Sequence, residues 1–449
     1  MVLPRPAHGN ARPHVRHPPL RLASAMLGWT LVLVLGWFLV SQPTAVLGAT
    51  VVNVTPGAGT LAQAQSQAVE GAALQLQNGV YEGRVVVDKP LTIRGVDGAI
   101  IRGDGKGSVI TIDAPDVVLS GVTITGSGLS LETMDAGVLV TEEGDRALIE
   151  DSRLLDNLIG VNLKGADDVV IRSNEIIGRQ DLRPNERGNG VHLWNAPGSV
   201  VEDNDFRFGR DGIFVNTSKK NVFRGNRFEK LRFAVHYMYT DQSEVSGNMS
   251  IGNHIGYALM YSNRLSVHDN VSIDDRDHGI MLNYANYSEI TGNVVERGGE
   301  KCVFIYNANR NRFEKNRFEG CPIGVHFTGG SERNDFTGNA FIGNETQVKY
   351  VGTRWLDWSV DDRGNYWSDH AAFDLDGDGI ADSAYRPNDM VDQVLWTHPL
   401  AKLLINSPAV QLLRWVQTQF PALYPGGVID TFPLMVSPDR AAIALAGAS

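Results

Sequence analysis

A short alternation of apolar and variable positions recurs along the middle of the chain, at intervals of 22 or 23 residues and once of 30 residues. Each copy has the form Gly-apolar-x-apolar, except that alanine or cysteine replaces the glycine in two copies. The copies are GVLV at 137, GVNL at 160, GVHL at 190, GIFV at 212, AVHY at 234, GYAL at 256, GIML at 279, CVFI at 302 and GVHF at 324. Because side chains alternate across a strand, the two apolar residues should point inward and the residue between them outward.

A second column of the repeat is asparagine. Its members are Asn174, Asn204, Asn226, Asn248, Asn270, Asn293, Asn316 and Asn339. A buried amide is costly unless it is hydrogen-bonded, and stacked coils would let each amide bond the next. Because one coil cannot bury its inner face alone, the two columns predict an all-β fold: a single-stranded, right-handed parallel β-helix, or β-solenoid, of about a dozen coils.

The extent of the repeat divides the chain into five predicted parts. These are a signal peptide or membrane anchor at 1–49, an N-terminal cap at 50–84, the β-helix at 85–350, a C-terminal cap at 351–400, and a helix with a docking tail at 401–449. The segment TLAQAQSQAVEGAALQLQNGVYEG predicts a short helix that leads into the first coil and covers its open end. After Lys349 the period is lost, so the C-terminal cap and tail should be irregular.

The first 49 residues have the composition of an export segment. Residues 1–21 carry four arginines and no acidic residue, and the apolar run Leu22–Val40 follows. This order predicts a secretory signal cleaved near Gly48–Ala49, and the run is also long enough for an uncleaved anchor. Either reading places the rest of the chain in the periplasm.

The net charge of the chain, −11, becomes −15 without the four N-terminal arginines. An acidic surface repels phosphate backbones, which excludes nucleic acid as a partner and favours cations or proteins.

The two cysteines, Cys302 and Cys321, lie in successive repeats, where they are either a disulfide or two separate buried residues. No GxxxxGK[ST] motif occurs, so any ATP hydrolysis must come from another subunit.

The C-terminal sequence GNYWSDHAAFDLDGDGIADSAYRP, followed by SPAVQLLRWVQTQFPALYPGGVIDTFPLM, resembles the NosD family of periplasmic copper-processing proteins. The resemblance covers essentially the whole exported chain. It implies a non-enzymatic accessory protein that docks on an ABC transporter, made of the ATPase NosF and the permease NosY, and contacts the membrane through it. It also implies that copper arrives from the lipoprotein NosL and is delivered to nitrous oxide reductase.

Soft metal donors occupy outward positions of the central repeats. His236 and Met238 should share one face of a coil, with Met260 one coil above Met238 and Met281 two coils from His236. Thioether sulfur suits Cu(I) better than Mg²⁺ or Ca²⁺, so these four residues are the candidate site for transient Cu(I). The alternative is a surface that packs under loops or binds a protein partner, because methionine and aromatic residues also suit adaptable interfaces.

The sequence DLDGDGIAD predicts a second metal site. Asp374, Asp376 and Asp378 alternate before a glycine, and Asp382 follows, as in the first half of an oxygen-lined calcium loop. The twelfth position is Tyr385 instead of glutamate. The alternatives are a structural Ca²⁺ and a solvated cluster of turn residues.

The C-terminal region is predicted to dock on the membrane partner. Ser407 and Pro408 mark the start of a helix. The candidate docking residues are Leu412, Leu413, Trp415, Val416 and Phe420 of this helix, and Phe432, Leu434 and Met435 of the tail. Deleting the residues after Phe420 should then abolish transporter binding and leave the β-helix folded. The alternative is that the helix folds back as a cap.

The rival function is that of a carbohydrate-binding or carbohydrate-active β-helix, similar to polysaccharide lyases or epimerases. Sugar cleavage requires two carboxyl groups facing one groove. The outward acids considered for this role are Asp203, Asp205, Asp211, Asp274, Asp275 and Asp277. The Asp-Pro-His-Glu motif expected of an epimerase is absent from the sequence. We therefore expect a binding protein and no catalytic residue.

Overall fold

Three long parallel sheets run the length of the molecule and enclose one apolar core. The computed structural model describes residues 50–352, 354–404, 406–420 and 426–438. Within these residues the sheets contain 13, 14 and 12 strands, so the stack has about fourteen coils where the repeat predicted about a dozen. Each coil contributes one strand to each sheet over most of the length, which confirms the predicted parallel β-helix.

The bounds of the strands are as follows. The first sheet contains, in stacking order, Val51–Val54, Ala73–Leu76, Thr92–Gly95, Val118–Ser120, Leu148–Glu150, Val170–Arg172, Val200–Glu202, Val222–Arg224, Glu244–Ser246, Ser266–His268, Glu289–Thr291, Arg312–Glu314 and Asp335–Thr337. The second sheet contains Gly57–Ala58, Gly79–Glu82, Ala99–Arg102, Thr123–Thr125, Arg153–Asn157, Glu175–Gly178, Asp205–Arg207, Arg227–Glu229, Met249–Ile251, Val271–Ile273, Val294–Glu296, Arg317–Glu319, Ala340–Ile342 and Tyr366–Trp367. The third sheet contains Val85–Val87, Ile110–Ile112, Ala136–Val140, Ile159–Lys164, Val191–Trp194, Asp211–Lys219, Phe233–Asp241, Ile255–Met260, His278–Asn283, Lys301–Tyr306, Ile323–Thr328 and Thr346–Val351.

The strand register of the third sheet places the outward residues in straight columns. His236 pairs with Ala258, which pairs with Met281. Met238 pairs with Met260 in the same way. Residues 22 or 23 apart in the chain are therefore direct neighbours, as the period predicted.

The asparagine column forms a continuous hydrogen-bonded ladder inside the coil. From Asn174 to Asn339, each amide Nδ2 donates to Oδ1 of the next asparagine at 2.8–3.0 Å, and the last bond reaches Asn365. Each Nδ2 also donates to a backbone carbonyl of the neighbouring coil, for example from Asn270 to Val245 O at 2.7 Å. Every rung is buried, so the ladder satisfies groups that water cannot reach.

Both ends of the stack are covered. At the N-terminal end the helix Thr60–Gln67 buries Leu61 against the core, and the strand Val51–Val54 already pairs with Ala73–Leu76. At the other end lie the helix Met390–Thr397, the 3-10 helix Pro399–Leu404 and the helix Pro408–Gln419. A two-stranded sheet joins Trp355–Asp357 to Gly427–Ile429.

The tail returns to the end of the asparagine ladder. Asp430 is fully buried, and its Oδ2 accepts hydrogen bonds from the Asn365 backbone N–H at 2.7 Å and from the Trp367 indole N–H at 2.8 Å. The Asn365 amide Nδ2 lies 3.3 Å from the same oxygen. A carboxylate thus replaces the amide that the next rung would have supplied.

Cys302 and Cys321 form a disulfide across one coil, with their Cα atoms 5.7 Å apart. Both residues are buried, and the bond decides between the two interpretations that the sequence left open.

Among the described residues, no helix has the length and apolar composition needed to cross a membrane. The predicted signal or anchor at 1–49 lies outside the described residues.

Candidate functional site

A cavity of about 340 Å³ lies over the third sheet beside His236 and Met238. Its floor is formed by outward residues of three successive strands, including His192, Phe214 and His236. Its walls come from two stretches that interrupt the repeat. One precedes Ala136 and supplies Leu131 and Met134, and the other precedes Val191 and supplies Arg187, Gly188 and Asn189.

His236 is oriented by a buried ion pair. Its Nδ1 lies 2.9 Å from Oδ2 of Asp211, and the Arg232 guanidinium binds both oxygens of the same carboxylate at 2.7 and 2.5 Å. Burial acts to raise the pKa of Asp211, but the hydrogen bonds from His236 and Arg232 outweigh it and lower that pKa below its usual range. The carboxylate therefore stays ionised and holds the proton of the imidazole on Nδ1.

Because Nδ1 is engaged by Asp211, Nε2 is the atom of His236 that is available to a metal ion. Within the described part of the chain, Nε2 has no hydrogen-bond partner. The ring is only 9% exposed and packs between Phe214 and Phe233, at centroid distances of 4.9 and 5.0 Å. Metal-binding histidines commonly donate their second ring N–H to a carboxylate, which fixes the tautomer and the ring orientation.

His192 is a second imidazole of the same cavity. Its Nδ1 lies 3.3 Å from the Asn189 amide nitrogen, and its ring packs edge-on against Phe214 at 5.0 Å. Burial lowers the pKa of His192 to about 4, so the ring is neutral at neutral pH. The sequence placed His192 in the outward column of His236, so the position of this residue was predictable although its role was not proposed.

The methionines divide between the cavity and the surface beside it. Met238 lines the cavity together with Met134, which the repeat could not reveal because Met134 lies in an irregular stretch. Met260 stands next to Met238 in the following coil, outside the cavity lining. Met281 stacks on Ala258, two coils from His236, and does not line the cavity. The structure thus brings His236 and Met238 together, keeps Met260 adjacent and separates Met281.

Four exposed tyrosines form a ladder along the edge of the third sheet next to Met238 and Met260. The members of this tyrosine ladder are Tyr239, Tyr261, Tyr284 and Tyr306, with ring centroids 5.1–5.9 Å apart and 38–55% of each residue exposed. The first three have φ of 50–56°, a left-handed conformation that is uncommon for bulky residues. The same conformation recurs at other corners along the coil, for example at Asp203, Asp269 and Arg297, so it is a feature of the fold.

The predicted calcium loop has its own internal hydrogen bonds. The Asp374 carboxylate accepts from the backbone N–H of Gly377 at 2.7 Å and of Gly379 at 2.9 Å. Oxygens of Asp374, Asp376 and Asp378 lie within 4.8 Å of one another, whereas Asp382 accepts from the Leu375 backbone N–H at 2.8 Å. A structural Ca²⁺ here stays a prediction, and titration of the purified protein with Ca²⁺ during thermal melting would check it.

Two of the acids considered for sugar cleavage do not point outward. Asp211 and Asp275 are fully buried, contrary to expectation, because the corners at which they lie are covered by neighbouring coils. Asp275 accepts from the hydroxyls of Ser250 and Ser272 at 2.7 and 2.6 Å, and burial raises its pKa to about 6. The acids Asp203, Asp205 and Asp274 are exposed or half-exposed residues of turns and surface ion pairs.

The predicted docking residues separate into two groups. In the helix Pro408–Gln419 and at its C-cap, Leu412, Leu413, Trp415 and Phe420 are 49–60% exposed, and Val416 is half-buried. In the tail, Leu434 is only 9% exposed and forms backbone bridges to Tyr366 and Ile380. Phe432 and Met435 are half-buried in the same segment. The helix therefore presents an apolar face, whereas the tail belongs largely to the cap.

Comparisons with known proteins agree on one family. A family model described as "Periplasmic copper-binding protein (NosD)" matches residues 173–372. A "Probable ABC transporter binding protein NosD" of Stutzerimonas stutzeri is 42% identical over 399 residues, which cover 84% of this chain and 92% of the relative. The protein of the same description from Pseudomonas aeruginosa is 41% identical, over 84% of this chain and 93% of that relative.

Solved structures show similarity in fold alone. The A-module of the mannuronan C-5 epimerase AlgE6 of Azotobacter vinelandii gives a TM-score of 0.53 at 14% identity, over 65% of this chain and 89% of that one. An exopolygalacturonase of Thermotoga maritima gives 0.52 at 12% identity, over 67% and 92%. Sequence identity over nearly the full length of both relatives decides the assignment: the chain belongs to the NosD family of periplasmic copper-binding proteins.

Proposed function

We propose that this protein is a periplasmic accessory protein that works with an ABC transporter to deliver Cu(I) to nitrous oxide reductase and mature its copper sites. The observation that carries the proposal is the cavity that His236, Met238 and Met134 line together. Copper is the cargo of this site. The family resemblance supplies the partners: the ATPase NosF and permease NosY as the transporter, NosL as the copper donor and the reductase as acceptor.

The donor set fits Cu(I) for three reasons. Thioether and imidazole are soft or borderline ligands, which Cu(I) prefers to carboxylate or carbonyl oxygen. The positive charge of Arg232 is neutralised by Asp211, which reduces its repulsion of a monovalent cation. Met260 lies beside Met238, so it offers a second thioether along the route toward the tyrosine ladder. Met281 lies two coils from His236, which suits a later step of transfer better than the same coordination sphere.

Replacing His236 or Met238 by alanine should weaken Cu(I) binding about tenfold each, since losing one ligand of a small site costs roughly 1–2 kcal/mol or more. Competition with a chromogenic Cu(I) chelator measures the affinity, and reductase activity in a complemented strain measures maturation. Met249→Ala is the matched control, because this methionine lies on the second sheet. Full maturation by the His236→Ala, Met238→Ala double variant would overturn the proposal.

The exposed helix face supports docking on the permease. Leu412, Leu413 and Trp415 project from the helix, and Leu400 and Leu403 of the preceding 3-10 helix are also exposed. Apolar patches of this kind mark protein or membrane contacts. The helix itself is anchored by Arg414, whose guanidinium binds Asp389 at 2.9 Å.

Polar substitution of this face should abolish association with the transporter. We expect Leu412→Ser with Leu413→Ser to prevent co-purification with the permease and to leave the melting temperature unchanged. Val436→Ser, an exposed apolar position of the tail, is the control. Deletion after Phe420 is a poorer test than the sequence suggested, because it also removes Asp430 from the end of the ladder. Undiminished co-purification of the double variant would contradict this role.

A further inference from the structure

A cluster of metal-ligating side chains lies at a corner of the coil, away from the copper cavity. His254, Asp277 and Glu300 occupy successive coils, joined by backbone hydrogen bonds of 2.9 Å from Asp277 N to His254 O and from Glu300 N to Asp277 O. His278 follows Asp277 directly. One ligand atom from each of Asp277, His278 and Glu300 lies within 4.8 Å of the others. Nε2 of His254 is 3.8 Å from the Asp277 carboxylate.

Two buried atoms of this cluster lack hydrogen-bond partners. His278 is only 6% exposed, and neither its Nδ1 nor Oδ1 of Asp277 makes a hydrogen bond within the described structure. The two atoms are 2.9 Å apart, yet they are not aligned as donor and acceptor. Each buried polar atom left unpaired costs about 1–3 kcal/mol. At the tetrahedral angle usual for Zn²⁺, two ligands with bonds of about 2.1 Å would be about 3.4 Å apart, so the two atoms would separate by about 0.5 Å on binding.

The charges around the cluster also favour a cation. Asp277 and Glu300 contribute two negative charges, and Lys301 contributes one positive charge through a 2.9 Å contact with Glu300. The cluster therefore keeps one net negative charge beside a buried imidazole. Imidazole with carboxylate oxygen and no sulfur suits divalent borderline ions such as Zn²⁺, whereas Cu(I) prefers the thioethers of the cavity.

We propose that Asp277, His278 and Glu300 bind a divalent transition-metal ion of the Zn²⁺ type, with His254 available as a fourth ligand. The ion would pair the two orphaned atoms and join two successive coils, or three if His254 also binds it. This site is separate from the Cu(I) cavity, and neither depends on the other.

The test is titration of the untagged, full exported chain with ZnCl₂ by isothermal calorimetry. We expect one site, and a loss of affinity of at least tenfold in Asp277→Asn and in Glu300→Gln. Asp269→Asn is the matched control, because Asp269 also contacts a histidine, His268, at 2.9 Å but on the exposed surface. This control should bind Zn²⁺ as the wild type does. The melting temperature of the wild type, but not of Asp277→Asn, should rise with Zn²⁺.

Three results would overturn the proposal: no stoichiometric Zn²⁺ binding by the wild type, equal binding by both site variants, or equal loss in Asp269→Asn. Circular dichroism verifies that each variant is folded. Should Asp277→Asn fail to fold, Glu300→Gln still decides the outcome because Glu300 is exposed. A His236→Ala, Met238→Ala variant should retain the Zn²⁺ site, which separates this test from that of copper binding.

Discussion

Replacing Asn270 by alanine is expected to destabilise the protein by about 3–5 kcal/mol, because the substitution breaks a buried network of hydrogen bonds. The Asn270 amide donates to Val245 O at 2.7 Å and to Oδ1 of Asn293 at 2.9 Å. Its Oδ1 accepts from the backbone N–H and the Nδ2 of Asn248 at 3.1 and 2.9 Å. Alanine would leave several of these partners buried without a replacement, since the stacked coils exclude water.

The measurement is the midpoint of urea unfolding followed by circular dichroism. Asn216→Ala is the control, because Asn216 lies in the outward column beside Met238 and takes no part in the ladder. Its effect should stay within about 0.5 kcal/mol, as for most surface substitutions. Equal midpoints for the two variants would show that the ladder adds little to the stability of the stack.

Asp430→Ala should destabilise the C-terminal end by about 2–4 kcal/mol, because the Asn365 and Trp367 donors would lose their shared acceptor. Asp430→Asn should be far milder. An asparagine oxygen can take the place of Oδ2 and accept the same bonds, as in every other rung of the ladder. Thermal melting of both variants, with limited proteolysis of the C-terminal cap, gives the comparison. Equal damage from alanine and asparagine would show that the carboxylate charge, not the acceptor, is what matters.

Asp430 should also make the stability of the folded protein depend on pH. Burial raises the pKa of Asp430 to about 6 in the folded protein. The unfolded chain has the ordinary aspartate value near 3.9, so the native state binds the proton more tightly and is favoured by acidification. The wild type should therefore gain stability relative to Asp430→Asn as the pH falls from about 7 to about 5, by about 1.3 kcal/mol. A constant difference between the two proteins over this range would contradict the assigned pKa.

The periodic part of the molecule was predictable from sequence because one physical requirement recurs in every coil. Inward apolar residues such as Val235 and Tyr257, and the asparagine at each corner, repeat with the strand register. That register was enough to predict that Met260 neighbours Met238 and that Met281 lies two coils from His236. The fold and the relative positions of these residues follow from the repeat alone.

The cavity was not predictable in the same way. Met134 comes from a stretch with no period, and Asp211 was assigned to the surface although it is buried beneath His236. The contacts at the C-terminal end of the stack were also not predictable from the sequence. Asp430 and Asn365 are 65 residues apart in a part of the chain that lacks the repeat, and no local pattern indicates their contact. Leu434 was predicted to bind a partner because apolar residues of a cap and of an interface have the same composition.

Because the coils stack at a constant spacing, distances along the β-helix are multiples of one strand spacing. From Val235 to Val348 the paired residues advance by five strands, which amounts to roughly 24 Å at one strand spacing per step. The height of the cavity beside His236 above the C-terminal helices can therefore change only by whole coils of 22 or 23 residues. A variant carrying one duplicated coil would move the cavity by a single increment of roughly 4.8 Å. If the proposed function is correct, the number of repeats sets the distance between the copper site and the membrane partner.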